Sequence, residues 1–171
     1  MKNWIQKHSI VLSLLLVIAV MVMIYCFSAQ TGQQSGALSG RITGWILNLI
    51  VPDYGNMPAQ EQADLRQITG TIIRKLGHFS EYALLGFTLM LHIHTLHKKI
   101  RVHLPLLWAW LVGTLYAASD EFHQGFVADR GPSVFDVMID SAGVVAGLLV
   151  MACILRRCRK KPSSDAVIVN L

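Results

Sequence analysis

The sequence predicts an all-α integral membrane protein with four transmembrane helices and an external amphipathic helix between the first two. Three observations carry that reading. Of the 171 residues, 53% are hydrophobic and 15% charged, with a mean hydropathy of +0.48; an average soluble chain is about 25% charged. Four long apolar stretches cover residues 10–27, 76–96, 104–119 and 134–155. The basic residues favour every second connection between those stretches. The length allows one domain, read as residues 1–161, with residues 162–171 as a disordered cytoplasmic tail.

The first stretch, residues 10–27, is uncharged, and Ser13 is its only hydroxyl before Tyr25. A bilayer crossing takes about 20 mostly apolar residues. Lys2 and Lys7 ahead of it, with Ser28 and Ala29 behind, resemble a signal peptide. Its apolar run exceeds the usual 7–15 residues of such a segment, so it reads as a retained span. Next, Leu38, Ile42, Trp45, Ile46, Leu49 and Ile50 recur at helical spacing. This helix either lies in the outer interface with Trp45 at headgroup depth or packs on the bundle. Pro52 and Tyr54-Gly55-Asn56 end it. Pro58 then opens a polar helix that runs through Ile68 and Ile72 into the second span. That span is interrupted by His78, Ser80, Glu81, His92 and His94. Pro105 opens the short third span, and the fourth carries Asp136, Asp140 and Ser141.

Charge sets the orientation. Of 15 Lys and Arg, 10 lie before the first span, between the second and third, or after the fourth, with Asp165 the only acid among them. The other five, Arg41, Arg66, Arg74, Lys75 and Arg130, share their segments with most of the acids. The positive-inside rule places both termini in the cytoplasm, which requires an even number of spans, as found. It also accounts for the net charge of +5 without nucleic acid. No zinc-finger spacing, P-loop or GxGxxG occurs. Cys26, Cys153 and Cys158 form no CxxC or disulfide pattern.

The ionisable residues then converge on the outer face. Arg74, His78, Glu81 and Leu85 share one helix face, with Lys75 and Tyr82 beside them. Asp120, Glu121, His123 and Gln124 close the third span, where the helix dipole disfavours anions. Asp129 and Arg130 follow in a short loop. Asp136, Asp140, Gly143 and Gly147 share a face of the fourth helix, and the two glycines form a GxxxG that permits close helix approach. Asp140 lies roughly 9 Å into its helix and is expected to face the bundle. Charged groups inside a bilayer are costly and mark function. His78, Glu121, His123, Asp136 and Asp140 offer donors for a divalent metal, without a metal-site spacing such as HExxH. His92, His94, His97 and His103 flank the inner basic loop and read as interfacial or solvated.

At these residues the sequence resembles the VanZ-like family of small bacterial membrane proteins. The matching blocks are Phe27-Ser28-Ala29-Gln30, Arg74 to Tyr82, Asp120-Glu121-Phe122-His123-Gln124, and Arg130 followed by Asp136, Asp140 and Gly143. The family pattern carries Pro-Gly before the arginine, where this chain has Ala128 and Asp129. The resemblance implies a place in the bacterial cell envelope. Its namesake role is low-level resistance to teicoplanin, and it carries no established reaction.

Three functional readings follow. In the first, an outward-facing pocket binds an amphiphilic envelope molecule or a glycopeptide. Arg74, Lys75 and Arg130 would hold phosphate or carboxylate there, with His78, Glu81, Tyr82, Asp120, Gln124 and Asp140 around them. In the second, an intramembrane hydrolase or transferase uses Glu121 and His123 as acid and base, with Asp136 orienting the histidine or a metal. The third is an ion-coupled transporter using Asp140.

Overall fold

The structure, a computed structural model, describes residues 2–97 and 100–160. Within them the chain forms α1 (Lys2–Ser28), α2 (Gly32–Ile50), a 3₁₀ turn (Tyr54–Asn56), α3 (Ala59–His97), α4 (Pro105–Gln124) and α5 (Val134–Lys160). No strand occurs among the described residues. The tail expected to be disordered, residues 162–171, lies outside them.

Two segments, Gln6–Ser28 and Val134–Cys158, are long and apolar enough to cross a membrane, with mean hydropathies of 3.0 and 2.2. At 1.5 Å per residue α3 is about 58 Å long, well beyond a hydrocarbon core of about 30 Å. Its first turns, carrying Glu61, Asp64 and Arg66, are polar, and its buried residues begin at Tyr82. The polar helix after Pro58 and the second apolar stretch are thus one continuous element, as expected. α2 starts in a capping box: Thr31 Oγ1 accepts from Gln34 N at 3.2 Å, and Gln34 Oε1 accepts from Thr31 N at 3.1 Å. It ends at Ile50, just ahead of Pro52. Pro105 stands at the first position of α4, where its missing N–H costs nothing.

α3 is the hub, packed against α1, α2, α4 and α5. The shared core is Val17, Val20 and Ile24 of α1, Tyr82, Leu85 and Leu89 of α3, Ala109 and Ala117 of α4, and Val144 and Leu148 of α5. Outside it, leucines, isoleucines and tryptophans are exposed around the whole bundle, among them Leu12, Leu15, Trp45, Leu49, Trp108, Leu115, Leu149 and Ile154. Such an apolar surface is far larger than a water-soluble monomer presents.

In lipid, helices associate through close packing and interhelical hydrogen bonds, because the tails are as apolar as the side chains. Both devices are present. A Cβ on Gly143 would strike the Phe79 carbonyl, one on Gly147 the Ala83 carbonyl, and one on Gly86 the Val144 carbonyl. The GxxxG of α5 is therefore the seam on which α3 and α5 meet. Hydrogen bonds tie three further pairs: Tyr116 Oη donates to Met21 O at 2.6 Å and Trp110 Nε1 to Ser141 Oγ at 3.0 Å. Ser13 Oγ bonds His92 Nδ1 at 3.0 Å and Thr95 Oγ1 at 2.9 Å. His92 is thereby a half-buried joint between α1 and α3 rather than the interfacial or solvated side chain expected, because the buried Ser13 offers it a partner.

Gly147→Leu should destabilise the fold by at least about 3 kcal/mol, since a backbone carbonyl cannot swing aside as a side chain can. Gly36→Ala inside α2, where an added Cβ meets nothing, should raise stability by about 0.5–1 kcal/mol. Thermal unfolding of the two purified variants in one detergent checks the contrast.

Candidate functional site

The site lies where the C-terminal end of α4 and the N-terminal end of α5 meet the middle of α3. A pocket of about 290 Å³ opens there. α3 contributes Arg74, Lys75 and His78; the α4 end and the following loop give Gln124, Asp129 and Arg130; α5 gives Asp136 and Asp140. Of the twelve residues expected at the site, seven therefore line one cavity.

Helical arithmetic explains the α3 and α5 walls. Arg74 and His78 are one turn apart, as are Asp136 and Asp140. Lys75 Nζ forms an ion pair with Asp136 Oδ1 at the rim, both side chains about one third exposed at 34% and 33%. The same ammonium lies 5.0 Å from the centre of the Phe135 ring. One turn deeper, His78 Nδ1 and Asp140 Oδ1 are 4.0 Å apart, beyond hydrogen-bond reach. Asp140 is 1% exposed and neither of its oxygens has a hydrogen-bond partner. A buried carboxyl group left without partners is expensive. Here it faces a cavity, so a donor brought by a ligand can supply what the protein does not.

The Asp-Glu-Phe-His-Gln block explains the third wall. Asp120 and Glu121 are each 4% exposed in the last turn of α4, against the helix dipole. Gln124 Nε2 donates to Asp120 Oδ2 at 3.2 Å, and Arg130 Nη1 donates to Gln124 Oε1 at 3.1 Å. Asp120 thus orients Arg130 through an amide relay. Glu121 Oε1 accepts from Ser133 N at 2.6 Å, and Ser133 Oγ in turn accepts from Asp136 N at 3.3 Å. The Glu121 carboxylate anchors the loop at the start of α5, and Ser133 caps that helix. Burial, and after it the nearby Arg74 guanidinium, lowers the pKa of Arg130 from its ordinary value, with Asp120 and Glu121 opposing. Two guanidinium groups held near each other are a receptor for an anion.

The remaining expected residues stand outside this cavity. Glu81 lines a smaller pocket on the other side of Arg74 and His78. Tyr82 is fully buried in the core beside Tyr116, ring centres 6.3 Å apart. His123 stacks on Tyr25 of α1 at 5.0 Å, and its buried Nε2 has no hydrogen-bond partner. Glu121, His123 and Asp136 consequently have three different neighbours, and of the three only Asp136 lines the larger cavity. Among the described residues no three His, Cys, Asp or Glu side chains are gathered to hold a metal ion. Cys26, Cys153 and Cys158 are free and exposed.

The profile of the VanZ/LLP1 family matches residues 13–156. The chain belongs to the VanZ/LLP1 family. No curated protein and no solved structure matches it. Membership and the apolar helices together mark a VanZ-like membrane protein. The departure from the VanZ pattern now has a structural counterpart. Asp129, in place of the usual glycine, sits in the left-handed region at φ 59°, at a cost of roughly 1–2 kcal/mol for a residue with a Cβ. Its backbone leaves room only for a glycine at position 32, and Gly32 N donates to Ala128 O at 3.0 Å. The start of α2 is thereby fastened to the loop that carries Arg130.

Thr71 and Ile139 also line the cavity, and neither carries an ionisable group that would mark it in the sequence. Each is one turn from a residue that does, Lys75 and Asp136 respectively, so helical spacing alone would have found them.

Glu121→Ala should lower stability by about 1–3 kcal/mol by leaving Ser133 N–H unpaired, and Glu121→Gln should restore most of it. Thermal unfolding of both variants is the measurement.

Proposed function

We propose that this VanZ-like protein binds an amphiphilic envelope molecule in the cavity, its anionic group held by Arg74 and Arg130. Lys75 stands in support at the rim. The observation that carries the reading is the pair of guanidinium groups over an unpartnered, fully buried Asp140 in a 290 Å³ cavity. Such a set complements a headgroup bearing both an anion and a hydrogen-bond donor. A lipid-linked cell-wall precursor has that chemistry, and so does a lipoglycopeptide. Sequestering either at the outer face would give low-level protection against teicoplanin.

The reading includes a topology. The four apolar stretches cross the membrane, both termini are cytoplasmic, and the cavity opens outward. α2 lies in the outer interface, its exposed Leu38, Ile42, Trp45 and Leu49 among the headgroups and upper tails. The charge distribution supports it. Arg101 joins Lys7, Arg156 and Arg157 at one end of the bundle, while Arg74 and Arg130 sit among acids at the other.

Two experiments test this. Alkaline phosphatase fused after Asn56 should be active and fusions at either terminus inactive; activity at a terminus overturns the topology. In a teicoplanin-sensitive host, the wild type should raise the inhibitory concentration. Arg130→Ala at equal membrane abundance should not, and protection by that variant equal to wild type would remove Arg130 from the site.

A further inference from the structure

The cavity has a neighbour. A second pocket of about 130 Å³ lies between the end of α1, the face of α2 and α3. Arg74, His78 and Arg130 line both pockets, so those three side chains form the partition. Besides the partition, the second pocket is lined by the apolar Phe27, Leu38, Ile42 and Ile73, by Gly77, and by the polar Gln30, Ser35, Ser39 and Glu81. Leu38 and Ile42 are half exposed and continue outward into the apolar stripe of Trp45, Leu49 and Ile50.

Gly77 stands on the α3 wall of this pocket. Glycine inside a helix costs about 0.5–1 kcal/mol relative to alanine. The glycines at 86, 143 and 147 offset that cost with a backbone contact that a Cβ would forbid. Gly77 does not: a Cβ there would meet nothing within 4 Å, as is also true of Gly36 and Gly40 in α2. It lines the second pocket, where a side chain much larger than alanine would enter the space beside the two arginines.

We propose that the second pocket seats the hydrocarbon chain of the ligand. The head lies in the larger cavity, the anion bridges Arg74 and Arg130, and the chain passes over Gly77 to leave along the apolar face of α2 into lipid. The ligand class is an anionic amphiphile of phosphate type, with one hydrocarbon chain seated next to its phosphate. This rests on the reading of the larger cavity as an anion site, and the test below separates the two.

The experiment uses the full chain in phosphatidylcholine nanodiscs, with decyl phosphate and butyl phosphate as probes, titrated calorimetrically. Wild type should bind decyl phosphate at least tenfold more tightly than butyl phosphate. Gly77→Leu, which fills the second pocket, should lose at least tenfold in decyl phosphate affinity and keep butyl phosphate binding within twofold. Retained butyl phosphate binding also shows that the variant is folded, and Gly77→Ala should behave as wild type. Arg74→Ala should weaken both probes. Equal loss of both probes in Gly77→Leu, or loss of neither, overturns the chain seat while leaving the anion site standing. Failure of wild type to bind either phosphate overturns both.

Discussion

Everything at the site hangs on how closely α3 and α5 approach. Carbonyls of Phe79 and Ala83 rest where Cβ atoms of residues 143 and 147 would be. Lys75 meets Asp136, Phe79 meets Gly143 and Ala83 meets Gly147, so the partners advance together and the helices run parallel. That register is fixed by backbone, which has almost no freedom to yield. It brings His78 to 4.0 Å from Asp140 and sets Arg74 opposite the loop that carries Arg130. A wider separation would expose Asp140 and merge the cavity with its surroundings. The glycine seam is thus the reason a carboxyl group can be held dry and unpartnered beside a polar pocket.

The other walls are held by polar contacts, which are stronger where water is scarce. Asp120 holds Gln124, Gln124 holds Arg130, Glu121 holds Ser133, and Ser133 caps α5. Turn hydrogen bonds from Phe126 N, Val127 N and Arg130 N to preceding carbonyls complete the hold on the loop between α4 and α5. Gly32 then fastens α2 to the same loop. A displacement of α2 by lipid or ligand is mechanically connected to Arg130 through a single backbone hydrogen bond.

Much of this was legible in the sequence, for physical reasons that differ by element. The apolar stretches gave α1 and α5 directly, because a long apolar run with few or no charges has one stable home. α3 was read as two parts that join, since Pro58 marks its start and the polar turns are followed by the apolar ones without a breaker. The i, i+4 spacing assembled Arg74 with His78 and Asp136 with Asp140, and the GxxxG predicted the seam. What spacing could not supply is the partner of each group. The unfavourable place of Asp120 and Glu121 in the helix dipole signalled that something compensates them. Only the fold shows that it is Gln124 for one and the Ser133 amide for the other. Likewise His123 pairs with Tyr25, nearly a hundred residues away, and His92 with Ser13; such contacts are invisible to any local pattern.

The contrast among the glycines carries the argument one step further. Those at 86, 143 and 147 lie against backbone, and their smallness is used up by the protein itself. Gly77 lies one turn before Glu81 on the same helix and borders open space, as Gly36 and Gly40 do on α2. The second pocket that it lines combines two cations with apolar side chains. The arginines exclude a purely apolar occupant and the neighbouring Leu38 and Ile42 exclude a purely polar one. The proposed occupant answers to both, with its charge at the Arg74–Arg130 partition and its chain toward α2.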